Sequence, residues 1–292
     1  MLSPETIAAL ADAGLDAALV SELAARTLAE DLAGGVDVTS VATIPEDLVG
    51  TAAFVTRQDG VVAGIAVAMA CVDAVGQVGW ERVGQDGPVK AGDAVLQCTG
   101  PVRTLLTAER SALNLLCHLS GVATLTAAWV EAVAGTGARI RDTRKTTPGL
   151  RVLEKAAVVV GGGFNHRMGL SDAALVKDNH VVAAGGVAQA FEAVRQLWPG
   201  LEVEVECDTV AQVREVVAAG ADLVLLDNMS LDDLRAAVAI CQPEGVRTEA
   251  SGGLTLDRAR AVAETGVDFL SIGALTHSAP VLDLGLDLLG TS

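Results

Sequence analysis

Residues 139–180 hold the densest supply of anion-binding groups in the chain. The run reads RIRDTRKTTPGLRVLEKAAVVVGGGFNHRMGLSDAALVKDNH. It contains eight cations (Arg139, Arg141, Arg144, Lys145, Arg151, Lys155, Arg167, Lys177) and four acids (Asp142, Glu154, Asp172, Asp178). Its local charge is +4 in a chain of net charge −17, so the remainder carries −21. Three of the four lysines and two of the four histidines fall there. A solvated basic face is the plain alternative. The sharper reading is a pocket for a polyanion, because guanidinium and ammonium groups pair with carboxylates and phosphates. The negative overall field repels nucleic acid and anionic membranes. A small anion must therefore be drawn in by local charge. Aromatic content of 2%, with no Tyr, leaves no platforms for stacking bases.

Two carboxylates, Glu206 and Asp227, are hard oxygen donors of the kind that hold Mg²⁺ largely through water and substrate oxygens. Glu206 also has a plainer reading, as an ion-pair partner of Lys177. No H-E-x-x-H motif or Cys/His cluster argues for zinc. Ser251-Gly252-Gly253 and Gly273-Ala274 stand where strands pass into helices, so their backbone N–H groups are placed to cradle a phosphate. No Ser-His-Asp or Cys-His nucleophile is evident. The inventory favours transfer of a phosphate-bearing group by positioning and electrostatics over covalent catalysis. His118 reads as a core histidine. His277 and Arg110 each have a bland reading, as a helix-start residue and an exposed first-turn arginine.

The elements that must position these groups follow from the rhythm of the chain. Residues 1–34 read as helices, with Asp37–Ser40 as a turn or cap. Residues 49–106 alternate short apolar runs with turn signals, which predicts a small α/β sandwich with one helix near 65–75. Thr107 is the expected N-cap of a helix running through Leu119. From residue 138 strands and helices alternate. The strands are expected at 138–142, 174–177, 202–206, 222–227, 246–251 and 268–273, and the helices at 187–197, 210–219, 231–241 and 255–264. Thr147-Pro148 reads as the start of another helix. Such alternation means a parallel sheet. Glu202, Glu204 and Glu206 share one face of their strand, as do Arg139 and Arg141 on theirs. Carboxylates turned inward need cationic partners. A barrel has an interior where such pairs form, whereas an open sheet buries both faces under helices. The C-terminal tips of the six strands are then Arg144-Lys145, Lys177, Glu206, Asp227, Ser251-Gly252-Gly253 and Gly273. Tips of this kind line the catalytic face of a (β/α) barrel.

With 292 residues and 51% apolar content the chain can bury a sizeable core. Its five cysteines are odd in number and include no C-x-x-C pair, which points to reduced thiols of an intracellular protein. The N-terminal segment has no basic stretch followed by an apolar one, so no signal peptide is expected. The longest uncharged run, 111–130, is interrupted by Asn114, His118, Ser120, Thr124 and Thr126, and reads as a buried helix.

Several runs together resemble the quinolinate phosphoribosyltransferases, also called nicotinate-nucleotide pyrophosphorylases (carboxylating). They are DTRKTTPG at 142–149, GGGFNHRMGL at 161–170, KDNH at 177–180, VEVE at 203–206, LDN at 226–228 and EASGG at 249–253, with EDL at 30–32, DVTS at 37–40 and Glu109-Arg110. The resemblance covers nearly the whole chain. It implies an N-terminal α/β sandwich domain over 1–119 and an incomplete (β/α) barrel of about seven strands over 120–292. It implies that quinolinate and phosphoribosyl pyrophosphate become nicotinate mononucleotide, pyrophosphate and CO2, with Mg²⁺, in the cytoplasm. It also implies a homodimer with interface sites. By position, Arg144, His166, Arg167 and Lys177 would hold the quinolinate carboxylates, with Arg110 of the partner subunit. Lys145, Glu206, Asp227, Ser251, Gly252, Gly253 and Gly273 would take the phosphoribosyl part and its metal, and Thr143, Ile272, Ala274 and His277 would also bind substrate. Glu206 and Asp227 would hold the metal, and Lys145, Lys177, Glu206 and Asp227 would be catalytic. The family often has an aromatic residue and an arginine where this chain reads Ala-Ala-Val-Val-Val at 156–160, which removes one cation. Three alternatives remain at this point. One is a sister protein of the same fold associated with molybdenum-transport genes. The second is a Schiff-base aldolase using Lys177, and the third is a phosphosugar sensor.

Overall fold

The computed structural model describes residues 1–291 and divides into two compact units. The first contains residues 1–125, 152–161 and 279–292, and the second 126–151 and 162–278.

In the first unit an antiparallel sheet is built from β1 (Val49–Thr56), β3 (Gly79–Val83), β5 (Ala94–Pro101) and β12 (Leu284–Thr291), in the order β12-β1-β5-β3. A two-stranded ribbon pairs β2 (Gly60–Val62) with β4 (Gly87–Val89). Phe54, almost fully buried, is opposed by Leu96 on one side and Leu286 on the other. Helix Ile65–Val75 falls where the sequence places it and is apolar on almost every side, as a helix buried all round tends to be, with the one buried acid Asp73 accepting from Ser3 N at 2.7 Å. Gly64 at its N-cap has φ 94° and no capping side chain. The Asp86 carboxylate replaces that cap, accepting from Gly64 N at 2.9 Å and Ile65 N at 3.1 Å.

Three expectations change. The C-terminal segment, assigned from sequence to the barrel with the rest of 120–292, belongs to the first unit, because β12 satisfies the free edge of β1. The helix expected from Thr107 to Leu119 runs from Val102 to Ala132. Thr107 lies inside it, and its hydroxyl donates to Asp37, the true N-cap of helix Val38–Thr43. Gly121 lies inside this helix, and a Cβ there would come within 2.1 Å of the Pro280 carbonyl, so close packing selects glycine. Finally, Thr147-Pro148 forms a turn, and the helix begins at Arg151. Val102–Ala132 is also the one helix among the described residues long and apolar enough to cross a membrane by composition, and 56% of its most apolar window is buried inside the protein.

The second unit carries the parallel sheet. Its strands are β6 (Arg139–Arg141), β7 (Ala174–Val176), β8 (Val203–Cys207), β9 (Leu223–Asp227), β10 (Arg247–Ser251) and β11 (Phe269–Ser271), in the order β6-β11-β10-β9-β8-β7. An isolated parallel bridge, Arg141 with Phe164, adds a seventh position beside β6. This is the incomplete barrel expected from sequence. The faces alternate as the pleat requires. Val203 and Val205 lie buried on one side of β8, and Glu204 and Glu206 stand on the other. Helices Val187–Leu197, Val210–Ala218 and Leu231–Cys241 return the chain between strands.

Candidate active site

The inward face of the second unit is a ladder of charges. Three carboxylates on or next to β8 each meet a basic side chain borne on a different segment. Glu202 pairs with Arg247 at 2.7 Å, Glu204 lies 2.8 Å from His166 Nε2, and Glu206 meets Lys177 Nζ at 2.5 Å. Glu249 of β10 binds Arg141 at 2.5 Å and accepts the Ser271 hydroxyl. Buried carboxylates persist only with such partners.

Above the ladder, the strand tips open into one cavity of about 610 Å³. Thr143, Arg144 and Lys145 enter from the exit of β6, Lys177 from β7, Glu206 from β8, Asp227 from β9 and Ser251-Gly252-Gly253 from β10. His166 and Arg167 come from the loop behind the glycine triplet, where Gly162 has φ 86°. The loop is tied to β6 by Asp142 N to the Phe164 carbonyl (3.1 Å) and by His166 N to Asp142 Oδ1 (2.7 Å). The convergence read from the sequence is therefore present. Asp178, Asn228, Glu249 and Ser271 also line the cavity and were not among the expected site residues. The KDNH, LDN and EASGG runs were the available signals, since three of these residues sit inside them. Ile272, Gly273, Ala274 and His277 are absent from this wall. Ile272 is buried, and Gly273 packs close enough for an added Cβ to meet Lys145 at 3.0 Å. His277 bonds its neighbour Ser278. Arg110 lies in the first unit with 63% of its side chain exposed. His118 pairs with buried Glu154 at 2.8 Å, as a structural histidine does.

The cavity is electrostatically prepared for an anion on one side and a cation on the other. Burial holds Arg167 below the usual arginine range, and the neighbouring Arg144 charge adds to that. Arg144 Nε is buried with no hydrogen-bond partner. Two guanidiniums so placed repel each other until an anion lies between them. Opposite, burial and then the Glu206 charge raise the Asp227 carboxyl above its usual range. This pair gains from a cation, and its hard oxygens are the donors that Mg²⁺ takes. Between them the backbone at Gly252 has φ 87° and lies so close to Asn228 that a Cβ would approach its Oδ1 to 2.4 Å. Only glycine suits that turn.

Glu204 is a costly group in the ladder. Desolvation pushes its carboxyl up to about 7, against 4.5 for an ordinary glutamate. Between those two values the native state holds a proton that the unfolded chain has released, so stability falls as pH rises from about 4.5 to about 7. Glu204→Gln is expected to remove that slope. Its melting temperature, followed from pH 4.5 to 8, should match the wild type at the acid end and exceed it by several degrees at the alkaline end, a gain on the order of 2 kcal/mol. An unchanged wild-type slope in the variant would contradict this assignment.

Comparison with known proteins follows the same lines. Residues 37–120 match the family described as quinolinate phosphoribosyl transferase, N-terminal domain, and residues 122–287 its C-terminal domain. The chain is 49% identical over 288 residues to the nicotinate-nucleotide pyrophosphorylase [carboxylating] of Mycobacterium leprae, covering 96% of this chain and all of that one. It is 46% identical over 198 residues to the probable enzyme of that name from Bacillus subtilis, covering 68% of each. Among solved structures, NadC from Streptococcus pyogenes superposes with a TM-score of 0.89 at 38% identity, covering 95% of this chain and 98% of that one. The nicotinate-nucleotide pyrophosphorylase of Francisella tularensis does so at 0.88 and 38%, covering 94% and 97%.

Proposed function

The chain belongs to the quinolinate phosphoribosyltransferase family, and on that premise we propose that its cavity joins quinolinate to phosphoribosyl pyrophosphate. The products are nicotinate mononucleotide, pyrophosphate and CO2, as a step of NAD synthesis. The observation that carries the reading is the convergence of Arg144, Arg167 and Lys177 with Glu206, Asp227 and the Ser251–Gly253 turn on one cavity.

Arg144 and Arg167 clamp the two carboxylates of quinolinate, with His166 and Lys177 beside them. Lys145 and the Ser251-Gly252-Gly253 backbone hold phosphate oxygens, and Glu206 and Asp227 face the ribose and would hold Mg²⁺. Bound there, Mg²⁺ would neutralise the leaving diphosphate. The ring nitrogen attacks the anomeric carbon as its bond to pyrophosphate breaks, through an oxocarbenium-like state that Glu206 and Asp227 stabilise. The new positive charge on the ring then accepts the electron pair of the adjacent carbon–carboxylate bond. CO2 leaves, and a proton takes its place on the ring carbon.

The fold and the relatives favour this reading over the aldolase and sensor alternatives. Lys177 Nζ is engaged by Glu206 at 2.5 Å and does not stand free in an apolar pocket. A cytoplasmic enzyme fits the five free thiols, four of them buried. Turnover separates the remaining sister reading. Purified protein with quinolinate, phosphoribosyl pyrophosphate and Mg²⁺ should release CO2 and nicotinate mononucleotide in equal amounts, and absence of the mononucleotide would overturn the proposal.

A homodimer completes the site with Arg110 of the partner subunit. Its side chain is largely exposed, and its one ion pair among the described residues is with the adjacent Glu109, at 3.9 Å, which leaves it available to a second copy. Arg110→Ala and Lys177→Ala should each be inactive alone. Mixed and allowed to exchange subunits, they should regain about a quarter of wild-type activity, because half the dimers are then mixed and each mixed dimer has one intact site of two. No recovery under proven exchange would exclude a shared site.

A further inference from the structure

The His166–Arg167 pair is held by contacts that hydrogen bonding within its loop does not explain. The Arg167 backbone N–H donates to His166 Nδ1 at 2.7 Å. Nδ1 is therefore the acceptor, and the ring proton sits on Nε2. That nitrogen faces two carboxylates, Glu204 Oε2 at 2.8 Å and Glu249 Oε1 at 3.6 Å. Glu249 already binds Arg141 and Ser271. Glu204 is 2% exposed, and neither of its oxygens has an aligned hydrogen-bond donor. A second cavity of about 240 Å³, walled by Arg141, His166, Arg167, Glu202 and Glu204 among others, lies against it and shares His166 and Arg167 with the main cavity.

A buried carboxylate without an aligned partner lowers stability, and an apolar residue of similar volume is often neutral or better. We propose that Glu204 is a positioning residue for the carboxylate clamp: its oxygen beside Nε2 fixes the His166 ring, and the ring fixes the Arg167 backbone through Nδ1. Arg167 is then pinned at both ends, since its guanidinium also donates to the Ala173 carbonyl at 3.0 Å. The guanidinium faces the cavity before any ligand arrives, which is the preorganisation a tight clamp needs. The effect on quinolinate rests on the function proposed above, but the effect on the ring does not.

The test compares Glu204→Met, which keeps volume and loses polarity, with Glu204→Gln, which keeps an acceptor oxygen for Nε2–H. The Met variant should raise the quinolinate KM by tenfold or more and leave the KM of phosphoribosyl pyrophosphate within twofold. Its melting temperature at pH 8 should be no lower than that of the wild type. The Gln variant should stay within threefold of wild type for both substrates. Nitrogen-15 NMR of the histidine rings should show His166 as the Nε2-protonated tautomer in wild type and Gln variant, and a mixture of tautomers in the Met variant. The proposal is overturned if Met and Gln behave alike, or if both KM values rise together. It is also overturned if the quinolinate KM stays within twofold in the Met variant, or if neither variant folds, which would assign Glu204 to stability alone. If the wild type makes no mononucleotide, the functional reading fails, and the tautomer comparison still decides the positioning role.

Discussion

Arg144→Ala is expected to raise the quinolinate KM by about 100-fold while changing that of phosphoribosyl pyrophosphate by less than about threefold. The physical cause is the paired arrangement of Arg144 and Arg167. Arg144 holds a buried Nε beside Arg167 with no partner among the described residues, so that donor is already desolvated when the diacid arrives. A charge-assisted bidentate contact with a carboxylate contributes roughly 3 kcal/mol when both partners are dry, and each 1.4 kcal/mol is a factor of ten. Loss of the guanidinium also relieves the repulsion it imposes on Arg167, so part of the loss is recovered. Steady-state kinetics with each substrate varied in turn is the measurement. Equal increases in both KM values would mean that Arg144 serves the phosphosugar as well as the diacid.

Lys177→Ala is expected to lower kcat/KM by about 10³. Lys177 stands at the tip of β7 with its Nζ 2.5 Å from Glu206, which is only 10% exposed. Removing the ammonium takes a cation from the carboxylate pocket and leaves Glu206 without its partner next to Asp227, whose carboxyl is already held high. Both changes act where charge moves during the reaction. Lys177→Arg keeps the charge but not the compact ammonium, so it should recover only part of the activity. Circular dichroism should show an unchanged fold, because half of the Lys177 side chain is exposed and the pair lies at the rim of the sheet. A loss smaller than tenfold would place Lys177 outside the reacting centre.

Much of this architecture was legible in the chain. The strands β6 to β11 fall close to where alternation puts them, and helices Val187–Leu197 and Leu231–Cys241 match the expected spans. Where the reading failed, a distant segment decided the outcome. Helix Val102–Ala132 runs past both expected ends, with the Thr107 hydroxyl bonded to Asp37 and Gly121 packed against Pro280, both far away in sequence. Strand β12 joins β1 because an open edge recruits whatever extended segment reaches it.

The sequence by itself determined which residues face inward and which stand at the strand tips. The two-residue period of a strand and the common direction of parallel strands are local properties, and they put Lys177, Glu206, Asp227 and Ser251 at one mouth. Only the tertiary structure decided which charge meets which. Glu202 with Arg247, Glu204 with His166, Glu206 with Lys177 and Glu249 with Arg141 are pairings across strands and loops that lie 29 to 108 residues apart along the chain. They are set by the register of one strand against the next. Register is a property of the assembled sheet, in which a shift of one residue would turn every charge of a strand to its other face.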